Sequence, residues 1–238
     1  MTLFKPMKKT SALVVIILGQ PGSGKGTQAE LIAGKFNLYN LETSKIIEAE
    51  VMNAKKGEYA LVGGQKYYLS HEKELWIQGI LCSPPFVSWL VKTKLEELAK
   101  EGKGVVMSGS PRTLLEGQNL IPLLKNLYGA ETIRIVLLEL TAEQTIWRNS
   151  HRRICELMRH PILFSKETEN LTKCPLDGSK LIKREGLDDP ETIKVRLKEY
   201  TERTLPLVEF MKTQNLSVIK INGEQSVEQV HQDILKVL

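Results

Sequence analysis

A glycine-rich run, Gly19-Gln20-Pro21-Gly22-Ser23-Gly24-Lys25-Gly26-Thr27, constrains this chain more than any other feature. It stands between a continuous apolar, β-branched segment and a helical pattern. Leu13–Leu18 reads as a buried parallel strand. Lys25–Phe36 reads as a helix with Ala29, Ile32 and Ala33 on one face. A turn between such elements stacks backbone N–H groups at a helix N-terminus, which makes an anion site, and glycines let phosphate oxygens come close. Gly22, Ser23, Gly24, Gly26 and Thr27 are therefore candidate phosphate ligands, and Lys25 adds a point charge toward terminal phosphates.

The rest of the chain repeats this alternation. Short strands are expected at Leu38–Leu41, Gly104–Met107, Thr132–Leu138 and Ser217–Ile221. Helices are expected at 43–54, 84–101, 114–127, 142–154 and 227–237, with a long one over 190–211 bent at Pro206. Five strands alternating with helices predict an α/β fold, a parallel sheet with helices on both faces. Two stretches break the pattern and read as insertions, 43–83 and 155–186, which leaves 1–42, 84–154 and 187–238 as the core domain. Trp76, Trp89 and Trp147 have no useful spacing and are read as core mass.

Composition narrows the partners. The net charge is +5, with 6% aromatic residues and no aromatic RNA-binding motif, so a small polyanion fits better than nucleic acid. No apolar run approaches a membrane span. Lys5, Lys8 and Lys9 precede the first apolar run, but it leads into the glycine turn and not into a cleavage site, so no secretory signal is expected. Three cysteines, an odd number, suit a reducing compartment, and a cytoplasmic protein is expected.

Gly26 stands where most phosphate loops carry Ser or Thr, with Thr27 next. That variant, with Gln28-Ala29-Glu30-Leu31-Ile32-Ala33 after it, resembles the adenylate kinase family of nucleoside monophosphate kinases. Ser108-Gly109-Ser110-Pro111-Arg112-Thr113 resembles the family's Asp-Gly-Phe-Pro-Arg-Thr segment. Arg148 and Arg152 match the arginines leading into its lid, while Arg184, Asp188, Asp189 and Arg196 match the exit, with one extra residue between. Ile221-Asn222-Gly223-Glu224-Gln225 resembles the stretch whose backbone contacts adenine. The resemblance implies a phosphate-loop NTPase fold and reversible transfer of the γ-phosphoryl group of ATP, with Mg2+, to AMP. A monomer is expected.

The implied catalytic residues are Lys25, Arg112, Arg148, Arg152 and Arg196. Guanidinium forks can stabilise the charge that spreads over a transferring phosphoryl group without giving up a proton. ATP would meet Gly22 through Thr27, Arg152 and Gln225, and the acceptor Thr43, Lys45, Gly109, Arg112, Glu116, Arg184 and Arg196.

In the lid, zinc-bearing relatives carry two Cys-x-x-Cys pairs, or a Cys-x-x-Asp as the second. This chain has Cys155, then Met158, a poor ligand, with His160 two residues on, and later Cys174-Pro175-Leu176-Asp177. Cys155, His160, Cys174 and Asp177 make an acceptable tetrahedral Zn2+ set. Cys82 is read as a core residue.

The acceptor side departs from the family. Glu48 replaces the arginine that grips the AMP phosphate, Ser108 replaces the acid that holds magnesium through water, and Glu116 replaces the glutamine that reads adenine. Lys45 lies one helical turn from Glu48 and either pairs with it or takes over the acceptor phosphate. Another acceptor base, or an ATP-binding protein that has lost catalysis, stays open at this point.

Overall fold

The computed structural model describes residues 12–183 and 188–238. Strand β1 (Val14–Gly19) is buried along its whole length, as a parallel strand covered on both faces must be. Val14, Ile16 and Leu18 enter one core cluster, and Val15 and Ile17 the other. Helix α1 (Lys25–Phe36) ends where Asn37 turns left-handed at φ 52° and its N–H reaches the Ala33 carbonyl. Strand β2 (Tyr39–Glu42) runs directly into α2 (Thr43–Val51).

The insertion continues after residue 57 as a hairpin, β3 (Tyr59–Val62) and β4 (Gln65–Tyr68), followed by α3 (Leu69–Ile77). Its two-residue turn is Gly63-Gly64, with φ of 59° and 83°, the paired positive values that a tight hairpin needs. Helix α4 (Pro84–Lys100) opens on proline, where a missing N–H costs nothing. Strand β5 (Val105–Ser108), α5 (Leu114–Leu127), β6 (Ile133–Glu139) and α6 (Ala142–His151) continue the alternation.

Helix α6 is shorter than its pattern implies. It stops at His151, and Arg153–Cys155 forms strand β7. Ile154 and Cys155 pair there with the strand β9 (Leu181–Ile182), while β8 (Pro161–Ile162) pairs with the other edge of β7. Cross-strand pairing that buries Ile154 thus overrides helix propensity. The expected long C-terminal helix is likewise divided into α7 (Pro190–Glu199) and α8 (Leu207–Thr213). Between them one wide turn closes through Leu205 N–H donating to the Tyr200 carbonyl at 2.8 Å. Pro206, which has no N–H to continue the ladder, stands just after that turn. Strand β10 (Val218–Asn222) and helix α9 (Val227–Leu235) complete the chain.

The five core strands are parallel in the order β10-β6-β1-β5-β2, the expected α/β sheet and a phosphate-loop NTPase arrangement. Helices α4, α5 and α8 bury one face against it, and α1 and α9 the other. Because β1 is central, the chain leaves it toward opposite sides of the sheet, and the crevice at the strands' C-terminal ends is where such sheets bind ligands. Gly19 and Gly109 lie at that end. Trp76 and Trp89 pack against the core as expected. Trp147 does not: it is 44% exposed and stacks on His151 and Phe164, with ring centroids 4.9 and 5.7 Å away. Among the described residues, no helix is long and apolar enough to cross a membrane.

Candidate active site

The glycine turn wraps the N-terminus of α1. Gly22 and Gly24 hold φ of 81° and 87°, and a Cβ on Gly22 would stand 2.5 Å from Asn149 Nδ2, so glycine there lets α6 approach the loop. Lys25 Nζ donates to the Gly19 and Gln20 carbonyls at 2.8 and 2.7 Å. Gln20 Oε1 in turn accepts from Thr145 Oγ1 at 2.8 Å. The first turn of α1 carries no acidic residue, which keeps its N-terminal field available to an anion. The Ser23 hydroxyl is buried and has no partner among the described residues. Gly26 is exposed and Thr27 half-buried in that same turn.

A cleft of about 500 Å³ opens beside the loop, walled by Gly19, Lys25, Gly109, Arg112, Arg196 and Tyr200 among others. The arginines around it are braced. Arg152 binds both oxygens of Asp188 and also Asn149 Oδ1, and Arg196 lies 3.9 Å from the same Asp188 carboxylate. Arg112 is fixed through its backbone: its N–H donates to Glu116 at 2.9 Å and its carbonyl accepts from Thr204 Oγ1 at 2.8 Å. Thr204 belongs to the wide turn before Pro206. Arg148 is half-buried beside Glu224, which accepts from the Thr141 N–H at 2.8 Å. Gln225 Nε2 donates to Asn222 O and Asp233 Oδ2, both at 3.0 Å. Arg184 lies outside the described residues.

A second cavity of about 390 Å³ shares Gly109 and Arg112 with the first and is lined by Thr43, Ile47, Trp76, Cys82 and Glu116. Thr43 Oγ1 is buried without a hydrogen-bond partner among the described residues. Glu116 is buried too, and accepts from Ser110 Oγ, Arg112 N–H and Thr113 Oγ1 at 2.9, 2.9 and 3.2 Å. Thr113 Oγ1 in turn caps α5 by accepting the Glu116 N–H at 3.2 Å. Burial raises the Glu116 carboxyl above its ordinary range against these donors. Cys82 is buried as expected, and burial, with Glu72 beside it, pushes its thiol up to about 12. Lys45 does not pair with Glu48. Its Nζ is 2.6 Å from Glu42 Oε1, the side chain is 66% exposed, and Thr43 and Ser44 line the cavity in its place. Glu48 Oε1 instead lies 4.0 Å from Arg159 NH2, in the lid.

The lid brings its candidate ligands together. One ligand atom each from Cys155, His160, Cys174 and Asp177 falls within 4.8 Å of all the others. Both sulfurs are buried, and both accept peptide N–H bonds, from His160 at 3.1 Å and Leu176 at 3.4 Å, the support a thiolate needs. The Cys155 thiol and the Ser179 N–H hold the Asp177 carboxyl well below the usual carboxylate range. Met158 is 63% exposed, and its backbone hydrogen-bonds Cys155. The described set fits a tetrahedral zinc ion in residue type and proximity.

A family model described as adenylate kinase matches residues 17–216, which includes every element that builds the cleft. The chain belongs to the adenylate kinase family. Named adenylate kinases from Petrotoga mobilis and Oceanobacillus iheyensis are 31% and 32% identical to it, each over 94% of this chain and 96% and 98% of their own lengths. One from Methanothrix thermoacetophila is 30% identical over 94% of the chain and 97% of its own length. As a member of this family the protein is a phosphotransferase.

Several residues that brace the cleft of this adenylate kinase family member escape a reading of motifs. Asn149, Thr145 and Gln20 tie α6 to the phosphate loop, yet each is an ordinary helix or loop residue in sequence. Glu199, on the cleft wall, accepts from Leu81 N–H at 3.1 Å and Arg203 at 2.9 Å, joining α7 to the 43–83 insertion. Glu116, already named from the resemblance, also carries a local signal: Thr113-x-x-Glu116 is a capping pattern before an apolar helix.

Proposed function

We propose that the protein moves the γ-phosphoryl group of ATP reversibly onto a nucleoside monophosphate, with AMP as the first acceptor. The observation that carries this reading is the single cleft in which Gly19 and Lys25 of the phosphate loop face Arg112 and Arg196. Donor phosphates would lie on the loop N–H groups and Lys25, with the ATP base toward Gln225 and the residues before it. The acceptor phosphate would lie between Arg112 and Arg196, its base in the cavity that Thr43, Gly109 and Glu116 line. Arg148 and Arg152 would close over the group in flight. An acceptor phosphate oxygen attacks the γ-phosphorus in line, and the bond to the β,γ-bridging oxygen breaks, leaving ADP and a nucleoside diphosphate. No covalent intermediate is required, because positioning and electrostatics are sufficient for this chemistry.

Mg2+ would draw charge from the ATP phosphates when bound, and it would come with the nucleotide, since Ser108 offers only a hydroxyl where the family has an acid. Cys155, His160, Cys174 and Asp177 would hold a structural Zn2+ that knits a lid with a small apolar cluster of its own.

A second acceptor class is favoured by Glu116. Three of its four lone-pair positions are taken by protein donors, so what remains can accept a base N–H, as on guanine or cytosine, but unlike a glutamine it has no N–H to give adenine N1. Turnover of MgATP with AMP, CMP, UMP and GMP, followed as ADP formation, tests both readings. Activity with AMP above the others supports the first; GMP or CMP leading supports the second. No ADP above background with any of the four overturns the function.

A further inference from the structure

Glu48 is an acid on α2, where the family resemblance places a phosphate-gripping arginine, and it needs an account. A carboxylate beside an acceptor phosphate would repel it unless a cation is near. Its own helix does not supply one, because Lys45, one turn earlier, is held by Glu42. Among the described residues Glu48 is paired with Arg159 of the lid, 4.0 Å away.

Arg159 is placed for this by its backbone. It holds φ of 57°, a left-handed value uncommon for a residue with a side chain, and its N–H donates to the Cys155 carbonyl at 3.1 Å. That turn lies between Cys155 and His160, whose side chains meet in the lid cluster. The guanidinium therefore extends from the turn that carries two of the clustered lid residues toward α2. The contact joins the two insertions directly, and both partners are partly exposed, so it can break and re-form as they move.

We propose that Arg159 and Glu48 are a positioning pair that holds the lid against the acceptor-binding insertion. In neutralising Glu48 the pair also removes a charge that would oppose the acceptor phosphate. Donor binding, which involves the lid, and acceptor binding, which involves α2, are thereby coupled through one ion pair. The kinetic half of this proposal rests on the phosphotransfer reading above; the structural half does not. For an exposed pair the coupling should be modest, roughly two- to fivefold.

Two measurements on the full-length protein test it. The first is the distance between fluorophores on Glu50→Cys and Glu169→Cys, both exposed, without nucleotide. The wild-type pair should give a shorter mean distance than Glu48→Gln or Arg159→Gln, and the swap Glu48→Arg with Arg159→Glu should restore it. The second is the acceptor KM at low and at saturating ATP. Each single variant should lose the roughly two- to fivefold dependence on ATP while kcat at full saturation changes less, and the swap should recover it. Equal distances in wild type and single variants overturn the pair. Altered distances with unchanged ATP dependence overturn the coupling. If no nucleoside monophosphate turns over at all, the phosphotransfer reading fails, and the distance experiment still decides the pair.

Discussion

Arg152 binds both carboxylate oxygens of Asp188, a side chain 1% exposed, and Arg196 lies 3.9 Å from the same group. One buried acid thus orients an arginine at the lid's entrance and another on the cleft wall. Guanidinium groups that arrive already oriented lose less freedom when the phosphates bind. Asp188→Ala should lower kcat by about 10²-fold, the scale of a 1 Å misplacement. Asp188→Asn, which keeps the shape and loses the charge, should fall between it and wild type. Steady-state turnover at saturating substrates measures both, and near-wild-type kcat in Asp188→Ala would remove Asp188 from the account.

Lys25→Ala should lower turnover by at least about 10²-fold, the usual effect of removing one charged group that stabilises the transition state. Lys25 Nζ bonds to the Gly19 and Gln20 carbonyls of the loop and lines a cleft, not the core. The melting temperature should therefore move by only a few degrees, at about 2–4 °C per kcal/mol for a chain of this size. Paired calorimetry and kinetics separate the two effects.

Metal analysis of gently purified protein should find about one zinc per chain, and Cys174→Ser should lose it. Chelation should lower the melting temperature, because the lid's own apolar cluster is little more than Cys155, Ile162, Cys174 and Leu181. Metal-free protein whose melting is unchanged by chelator would end this reading.

Burial raises the Glu116 carboxyl above its unfolded value, so the folded state binds the proton more tightly than the unfolded one. The sign of the linkage follows. Glu116 contributes most to stability below its unfolded pKa, near 4.3, and that contribution is lost as pH rises through the higher folded value. Glu116→Gln cannot ionise and should show a flatter stability profile above pH 4, gaining on wild type as pH rises. Thermal melts at several pH values check the crossing, and parallel profiles for both proteins would contradict it.

Lys45→Ala should change the acceptor KM by less than about twofold, well under the tenfold that 1.4 kcal/mol of lost binding would cause. Its ammonium is exposed, bound to Glu42 and off the cavity wall. A tenfold rise at saturating ATP would return it to the acceptor phosphate.

Local chemistry was legible in the order of residues. The strand, turn, lysine and helix from Leu13 to Phe36 could be read because each depends on neighbours a few positions away: an apolar run buries, glycines turn, and Asn37 stops the helix. The five-stranded sheet followed from alternation, and the grouping of Cys155, His160, Cys174 and Asp177 from the resemblance to zinc-type lids. What the tertiary structure alone decided was pairing across distance. Lys45 chose Glu42 over Glu48, and Glu48 met Arg159 from an insertion more than a hundred residues along the chain. Glu116, on the cavity wall, is also held by three donors from its own turn, and Ile154 left its helix for a strand. These outcomes depend on which groups come within hydrogen-bond or ion-pair distance once the sheet and its insertions are packed, and chain order does not specify those distances.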